Sequence, residues 1–313
     1  MKIPPLKASL QAAKHCLVVV HRDPDLDAIG SMLAFHKLLE ALGVSHTLLC
    51  QDLNPDLFAF LPFLEVIHTT APAADFYDTI VSLDCSDKSR VYQHQTLPWA
   101  DKTVINIDHH HDNTRFGALN WVEAISSVGE MMVNLYSHWD IPLSQDVATC
   151  LFAAMSFDTG RFSFSNVTAD TFRAGAALVE SGADPHTLSK LMYEQLSMGA
   201  FDQLKQGLDH LVIDDRLGLV YTTLSQANPT EEIKLIDWIR LLKVARVAVV
   251  FRETQIGEIK ISFRSKTNFD VSAFAAKFGG GGHKKAAGLI LNLPLHEAVN
   301  AVISVLKKDL ATA

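Results

Sequence analysis

Cys16-Leu17-Val18-Val19-Val20-His21-Arg22-Asp23-Pro24-Asp25-Leu26-Asp27 is the stretch that decides the fold. Its first five residues form an unbroken apolar run of strand length, as expected for a strand covered on both faces. An acidic turn follows at once. Asp27–Leu42 then carries apolar residues at helical spacing (Ile29, Leu33, Leu38), and Gly43 suits the residue just past a helix end. Strand, polar turn and helix in that order make the repeating unit of an α/β protein. Outward from it, His46–Cys50, Thr79–Asp84 and Thr103–Asp108 read as further strands. Ser127-Val128-Gly129-Glu130 has the spacing of a capping box and opens a helix to about Trp139. Helices near Gln145–Phe157 and Thr168–Ser181 follow. The alternation predicts a parallel sheet with helices on both sides.

From about His186 to Leu211 the chain reads as wholly helical. A second, smaller α/β region of mixed sheet follows. It comprises strand Leu217–Thr223, helix Glu231–Leu242, strands Val244–Arg252 and Glu258–Arg264 turning at Thr254–Gly257, helix Val271–Phe278, a strand near Ala287–Leu291 and helix Leu295–Leu310. The expected domains are 1–190, a helical connector 191–214, and 215–313. The chain has 313 residues, enough for two domains. No apolar run has the length of a membrane span, and no secretory signal is recognised. The cysteines Cys16, Cys50, Cys85 and Cys150 are too scattered for a zinc knuckle or redox pair, which points to reduced thiols and a cytoplasmic location.

Net charge is -8, against binding of long nucleic acids. Residues 1–214 hold 13 Lys+Arg against 26 Asp+Glu, whereas residues 215–313 hold 14 against 9. The first part is therefore suited to collecting cations and the second to holding an anion.

Four segments concentrate acids and histidines: His21–Asp27, Asp84 closing a strand, Asp108-His109-His110-His111 closing another, and Phe157-Asp158-Thr159-Gly160 ending a helix. Strand ends of a parallel sheet share one edge, where ligands bind at the topological switch point. Carboxylates meeting there repel one another. Two divalent ions would balance Asp25, Asp27, Asp84 and Asp158. Mixed imidazole and carboxylate ligation suits Mn²⁺ best; Mg²⁺, Co²⁺ and Zn²⁺ stay open. Such a pair can activate water and clamp a phosphoryl group.

HRDPDLDAIGS, the Asp of VSLD, IDHHHDN and FDTGRF resemble, in order, the four motifs of the DHH phosphoesterase superfamily. Phe278–Gly288 (FGGGGHKKAAG) resembles the glycine-rich signature of the DHHA1 domain. The combination is most similar to the branch that degrades very short RNAs and dephosphorylates 3′-phosphoadenosine 5′-phosphate (pAp). The resemblance implies one metal on His21, Asp25 and Asp84, and a second on Asp27, Asp84, His109 and Asp158, with Asp84 as the bridge. It gives His110 a catalytic role at the scissile phosphate, with Asp108 as its support. It makes His111 a bystander. Arg264, Gly280, Gly281, Gly282 and His283 would bind the substrate, short RNA or a small nucleotide, and a second copy of the chain is an admissible partner. The family often carries Ser-Ser-Thr where this chain has Ser126-Ser127-Val128, which removes a hydroxyl expected near the active-site rim. The competing readings are a cyclic-dinucleotide phosphodiesterase and a catalytically silent nucleotide-binding module.

Overall fold

Six short strands, β1 (Cys16–Val19), β2 (His46–Leu49), β3 (Ile67–His68), β4 (Thr79–Leu83), β5 (Thr103–Asp108) and β6 (Leu119–Val122), form one sheet. Their order is β3-β2-β1-β4-β5-β6 and every pairing is parallel. The strand order therefore reverses between β1 and β4, which makes the carboxyl ends of those two strands the switch point. This computed structural model describes residues 5–91, 97–225 and 235–312. It divides into two units, Met1–Glu194 and Gln195–Ala313.

In the first unit the helices are α1 (Leu6–Ala12), α2 (Leu26–Ala41), α3 (Pro55–Phe58), α4 (Val128–His138), α5 (Gln145–Asp158), α6 (Ala169–Glu180) and α7 (Pro185–Tyr193). The core joins one sheet face (Val18, Val81, Ile105, Ile107) to Ile29 and Leu33 of α2, Met131 and Leu135 of α4, and Leu151 of α5. The opposite face packs Leu17, Val19 and Ile80 against Tyr77, Val91 and Leu97. Among the described residues that face is covered by connecting segments rather than α-helices, so the expectation of helices on both sides is corrected.

The second unit contains α8 (Met198–Asp209), α9 (Leu235–Ile239), α10 (Val271–Ala276) and α11 (Leu295–Thr312). Its strands are β7 (Val212–Asp214), β8 (Leu219–Leu224), β9 (Val247–Gln255), β10 (Glu258–Ser265), β11 (Gly281–His283) and β12 (Ala286–Leu291), in the order β11-β12-β10-β9-β8-β7. The sheet is mixed: β8 and β9 are parallel and the other pairs antiparallel. One face buries Val249, Phe251, Ile261 and Phe263 against Phe274 and Val302. The other buries Val220, Ala248 and Val250 against α8 and α9.

The segment read as wholly helical from His186 to Leu211 holds two helices, α7 and α8, with a non-helical break at residues 194–197. The break has a local cause: the Ser197 hydroxyl caps α8 by accepting from Ala200 N. Residues 231–234 of the expected helix Glu231–Leu242 lie outside the described residues. Strand β7 was not foreseen, because it is only three residues long and lies at the sheet edge. No helix among the described residues is long and apolar enough to cross a membrane.

Candidate metal centre

The carboxyl ends of β1, β4 and β5 deliver His21, Asp84 and the run Asp108-His109-His110 to one place. The first turn of α2 adds Asp25 and Asp27, and the last residue of α5 adds Asp158. His21 Nε2 lies 3.5 Å from Asp84 Oδ2 and 4.0 Å from Asp25 Oδ1. His109 Nε2 lies 3.1 Å from Asp158 Oδ2, 3.4 Å from Asp84 Oδ1 and 3.8 Å from Asp27 Oδ2. Candidate ligand atoms within 4.8 Å of one another form three sets: His21, Asp25, Asp84; Asp27, His109, Asp158; and Asp84, Asp108, His109, His110.

Each side chain is aimed by backbone. Asp25 is the N-cap of α2, its Oδ1 accepting from Asp27 N and Ala28 N at 3.0 Å each. Asp27 is fully buried, and both its oxygens accept from the start of α4, Oδ2 from Val128 N and Oδ1 from Gly129 N, each at 2.8 Å. A Cβ on Gly129 would stand 2.8 Å from the Ala154 Cβ and 3.3 Å from Asp27 Oδ1, so only glycine permits this approach. Asp84 adopts the left-handed region at φ 58, which turns its carboxylate inward from the strand end.

The imidazoles are held in one tautomer. His21 Nδ1 donates to the Arg22 carbonyl at 2.7 Å, and His109 Nδ1 to the Ile125 carbonyl at 3.2 Å. In the neutral rings each Nε2 is then an acceptor, and it faces carboxylate oxygens, which are acceptors too. Buried Asp84 Oδ1 and His109 Nε2 make no hydrogen bond at all. A cluster of inward-facing acceptors is what a cation requires, and a carbonyl behind each imidazole is the usual support for a ligating His.

The electrostatics agree. Burial and the Asp84 charge push Asp25 up to about 6. Burial, with Asp84 and Asp158, pushes Asp27 well above the carboxylate range. Burial opposes ionisation of Asp84 as well, but contact with His109 and His21 holds it below that range. Burial disfavours the charge on His21, yet Asp84 and Asp25 raise it to about 9. His109, also opposed by burial, is raised to about 12 by Asp158 and Asp84. Without an ion the cluster keeps protons as substitute cations, and metal binding would expel them.

His110 Nδ1 donates to Asp108 Oδ1 at 2.8 Å, and Asn113 Nδ2 donates to Asp108 Oδ2 at 2.5 Å. Buried Asp108 thus orients His110 and is itself oriented, while His111 lies in an exposed turn. Two groups were missed in the sequence: Asn113, and Asn166, whose Nδ2 donates to the Ser126 and Asp158 carbonyls at 2.9 and 3.1 Å. The Asn closing IDHHHDN was the one available signal for Asn113; none marked Asn166. Two expectations at the start of α4 are corrected. Ser127 caps the helix, but the buried Glu130 carboxylate binds the hydroxyls of Ser126 and Thr171 instead of closing a capping box. Val128 is fully buried, not at a rim, and serves Asp27 through its N–H.

In the second unit Arg264 is half-buried near the end of β10, its Nη1 donating to the Phe263 carbonyl at 3.0 Å. Burial lowers its pKa, with Asp237 acting the other way. The glycine run is not a free loop. Gly281–His283 is strand β11, paired in register Gly281↔Gly288, Gly282↔Ala287 and His283↔Ala286. Gly282 has φ 138, and a Cβ there would meet the Ala286 carbonyl at 2.6 Å. Arg264 also pairs with Ala286, so Arg264 and His283 flank one residue in a row across three strands.

Residues 15–155 match the model of the DHH family, N-terminal domain, and residues 218–312 that of the DHHA1 domain. The chain is 31% identical over 305 residues, 95% of this chain and 90% of its relative, to the bifunctional oligoribonuclease and PAP phosphatase NrnA of Thermus thermophilus. It is 28% identical to the Bacillus subtilis protein of the same name, over 87% of this chain and 88% of that one. An exopolyphosphatase-related protein from Bacteroides fragilis has the same fold, with a TM-score of 0.90 at 22% identity, over 98% of this chain and 96% of that one.

Proposed function

The chain belongs to the DHH/DHHA1 phosphoesterase family, and on that premise we propose that it is a divalent-metal-dependent hydrolase of short oligoribonucleotides and pAp. The observation that carries the reading is the buried gathering of His21, Asp25, Asp27, Asp84, His109 and Asp158, in which Asp84 Oδ1 and His109 Nε2 find no hydrogen-bond partner. The names of the two relatives support the choice of substrates.

His21, Asp25 and Asp84 would hold one ion, and Asp27, Asp84, His109 and Asp158 the other, with Mn²⁺ the best match to this donor set. When bound, such ions supply Lewis acidity toward phosphoryl oxygens and lower the pKa of water. The α4 N-terminus favours the ionised form of Asp27 by donating two N–H groups to it, and a bound ion would overcome the burial and neighbouring carboxylates that raise its pKa. Asp108 accepts from His110 Nδ1–H and, with Asp84, raises the His110 pKa against burial, so that the imidazolium would present Nε2–H to the phosphate and give that proton to the departing oxygen. Arg264 and His283 would grip a substrate phosphate, the guanidinium through two parallel hydrogen bonds.

The test is a rate ranking with Mn²⁺ over pAp, dinucleotides, a five-nucleotide RNA, cyclic di-AMP and pyrophosphate. Preference for pAp and short linear RNA is expected. Preference for cyclic di-AMP or pyrophosphate would replace the substrate assignment, and no hydrolysis of any of them would end the enzyme reading.

A further inference from the structure

Asp158 ends α5, and the chain after it turns left-handed. Gly160, Arg161 and Phe162 have φ 55, 61 and 59, consecutive residues of which two carry side chains that disfavour this backbone. Such a turn persists only where its surroundings hold it. At the first position a Cβ would collide with the Phe164 ring, so glycine is required there. Hydrogen bonds and packing hold the other two. Phe162 N donates to Thr159 Oγ1 at 2.9 Å, and Arg161 N to the Ser156 carbonyl at 2.7 Å. The Phe162 ring is stacked on Phe172, with centroids 5.8 Å apart. The exposed Arg161 places its guanidinium over the Tyr193 ring, 3.9 Å from the centroid, and the Tyr193 hydroxyl is 3.1 Å from Ser156 Oγ. Ser156, Arg161 and Tyr193 thus close a ring of contacts, and Asp158 lies in the stretch of chain that it encloses. Tyr193 is the last residue of α7, and Glu194, next in sequence, ends the first unit.

We infer that Arg161 and Tyr193 form a clamp that positions Asp158 for the ion it would share with Asp27, Asp84 and His109, and that ties this ion to the chain leading out of the first unit. The inference rests on the metal reading above and deepens it. Asp158 is the ligand that needs such a device. Its side chain is 22% exposed, against 0% for Asp27 and 2% for Asp84, so less packing fixes it. With the clamp closed, the turn stays left-handed and Asp158 Oδ2 stays 3.1 Å from His109 Nε2. With it open, the turn loses a contact that offsets its unfavourable backbone, and Asp158 is released from the ligand set. The guanidinium is held by the charge of the ring face, which an ammonium replaces only in part. Arg161 and Tyr193 are positioning residues and touch no ion themselves. Linkage is reciprocal, so binding of the ion would tighten the end of α7 in turn.

The experiment titrates Mn²⁺ into metal-free full-length protein by calorimetry, with wild type, Asp158→Asn, Arg161→Ala, Arg161→Lys, Tyr193→Leu and the double variant Arg161→Ala/Tyr193→Leu. Asp158→Asn identifies which binding event depends on Asp158. Thermal melts check folding, and Arg161→Ala decides the matter alone if Tyr193→Leu does not fold, because the Arg161 side chain is exposed. The expected result is an approximately fivefold weakening of that event in Arg161→Ala and in Tyr193→Leu, the size of one cation–π contact. The double variant should be no weaker than either single one, since both remove the same contact. Arg161→Lys should recover part of the loss, and the other binding event should be unchanged. Hydrogen exchange at residues 190–194 should slow on adding Mn²⁺ to wild type and not to Arg161→Ala. Unchanged Mn²⁺ binding in folded Arg161→Ala, or losses that add in the double variant, overturns the clamp and leaves the function reading standing. Wild-type protein that binds no Mn²⁺ overturns both.

Discussion

The first unit buries its polar cluster: Asp27, Asp84 and Asp108 are each at most 1% exposed, and their partners come from four separate elements. The second unit spreads its polar groups on an open sheet face, where all of Gly281–His283 is exposed and Lys260, Ser262 and Arg264 stand along one strand. Buried charges need a permanent counter-charge, because an uncompensated one is too costly inside a protein. Exposed cations are satisfied by water until an anion arrives. On the proposed reading, the difference suits the first unit to resident ions and the second to a ligand that comes and goes. Losses in the first should therefore appear as lost turnover and metal binding, and losses in the second as weakened substrate affinity.

The largest effect belongs to Asp84→Asn. Asn tolerates the left-handed backbone at this position, so the change isolates the charge. Steady-state assays should show kcat lower by about 10³-fold or more, with two-metal catalysis lost. Turnover near wild type would break the comparison at its centre. Arg264→Ala should act the other way, raising KM for pAp by about 10–100-fold, on the scale of a lost charged hydrogen-bond pair, with a smaller change in kcat. Arg264→Lys should recover only part of the loss, since it keeps the charge without the planar fork. Asn166→Ala should weaken Mn²⁺ binding about tenfold, read by calorimetry, because Asn166 ties the loop behind His109 to the end of α5. Nucleotide affinity in the absence of metal should not change.

The smallest effect is in pH dependence. In metal-free protein Asp25 is raised from 3.8 to about 6, and His21 from 6.5 to about 9. Raised folded values stabilise below the unfolded pKa, and that stability is lost as pH rises through the folded pKa. Asp84 acts in the opposite sense, but its contribution is complete above its unfolded value of 3.8. Thermal melts of chelator-treated protein should therefore fall by a few °C between pH 5 and 9. Protection by Mn²⁺ should grow over the same interval, as fewer protons compete for the ligands. A melting temperature that rises with pH in metal-free protein would contradict the stated balance of charges.

The parallel sheet was legible because buried strands announce themselves as unbroken apolar runs, and Asp84 and Asp108 stand at the ends of two of them. Once strand ends are known, their gathering at one edge follows from topology. Asn166 was not legible, since an asparagine amide that bridges two carbonyls leaves no local pattern. Neither was the role of Gly129, which depends on α2 and α4 meeting across a hundred residues. The glycine run of the second unit hid its secondary structure: nothing in FGGGGH marks a strand, yet Gly281–His283 pairs with β12, and a Cβ on Gly280 or Gly282 would collide with the Gly288 or Ala286 carbonyl.

Anomalous scattering at the manganese edge from crystals soaked in Mn²⁺ tests the central claim most directly. Two peaks are expected in the first unit, one beside His21 and one beside His109, with the Asp84 carboxylate touching both. No peak there, or an ion bound away from these residues, would contradict it.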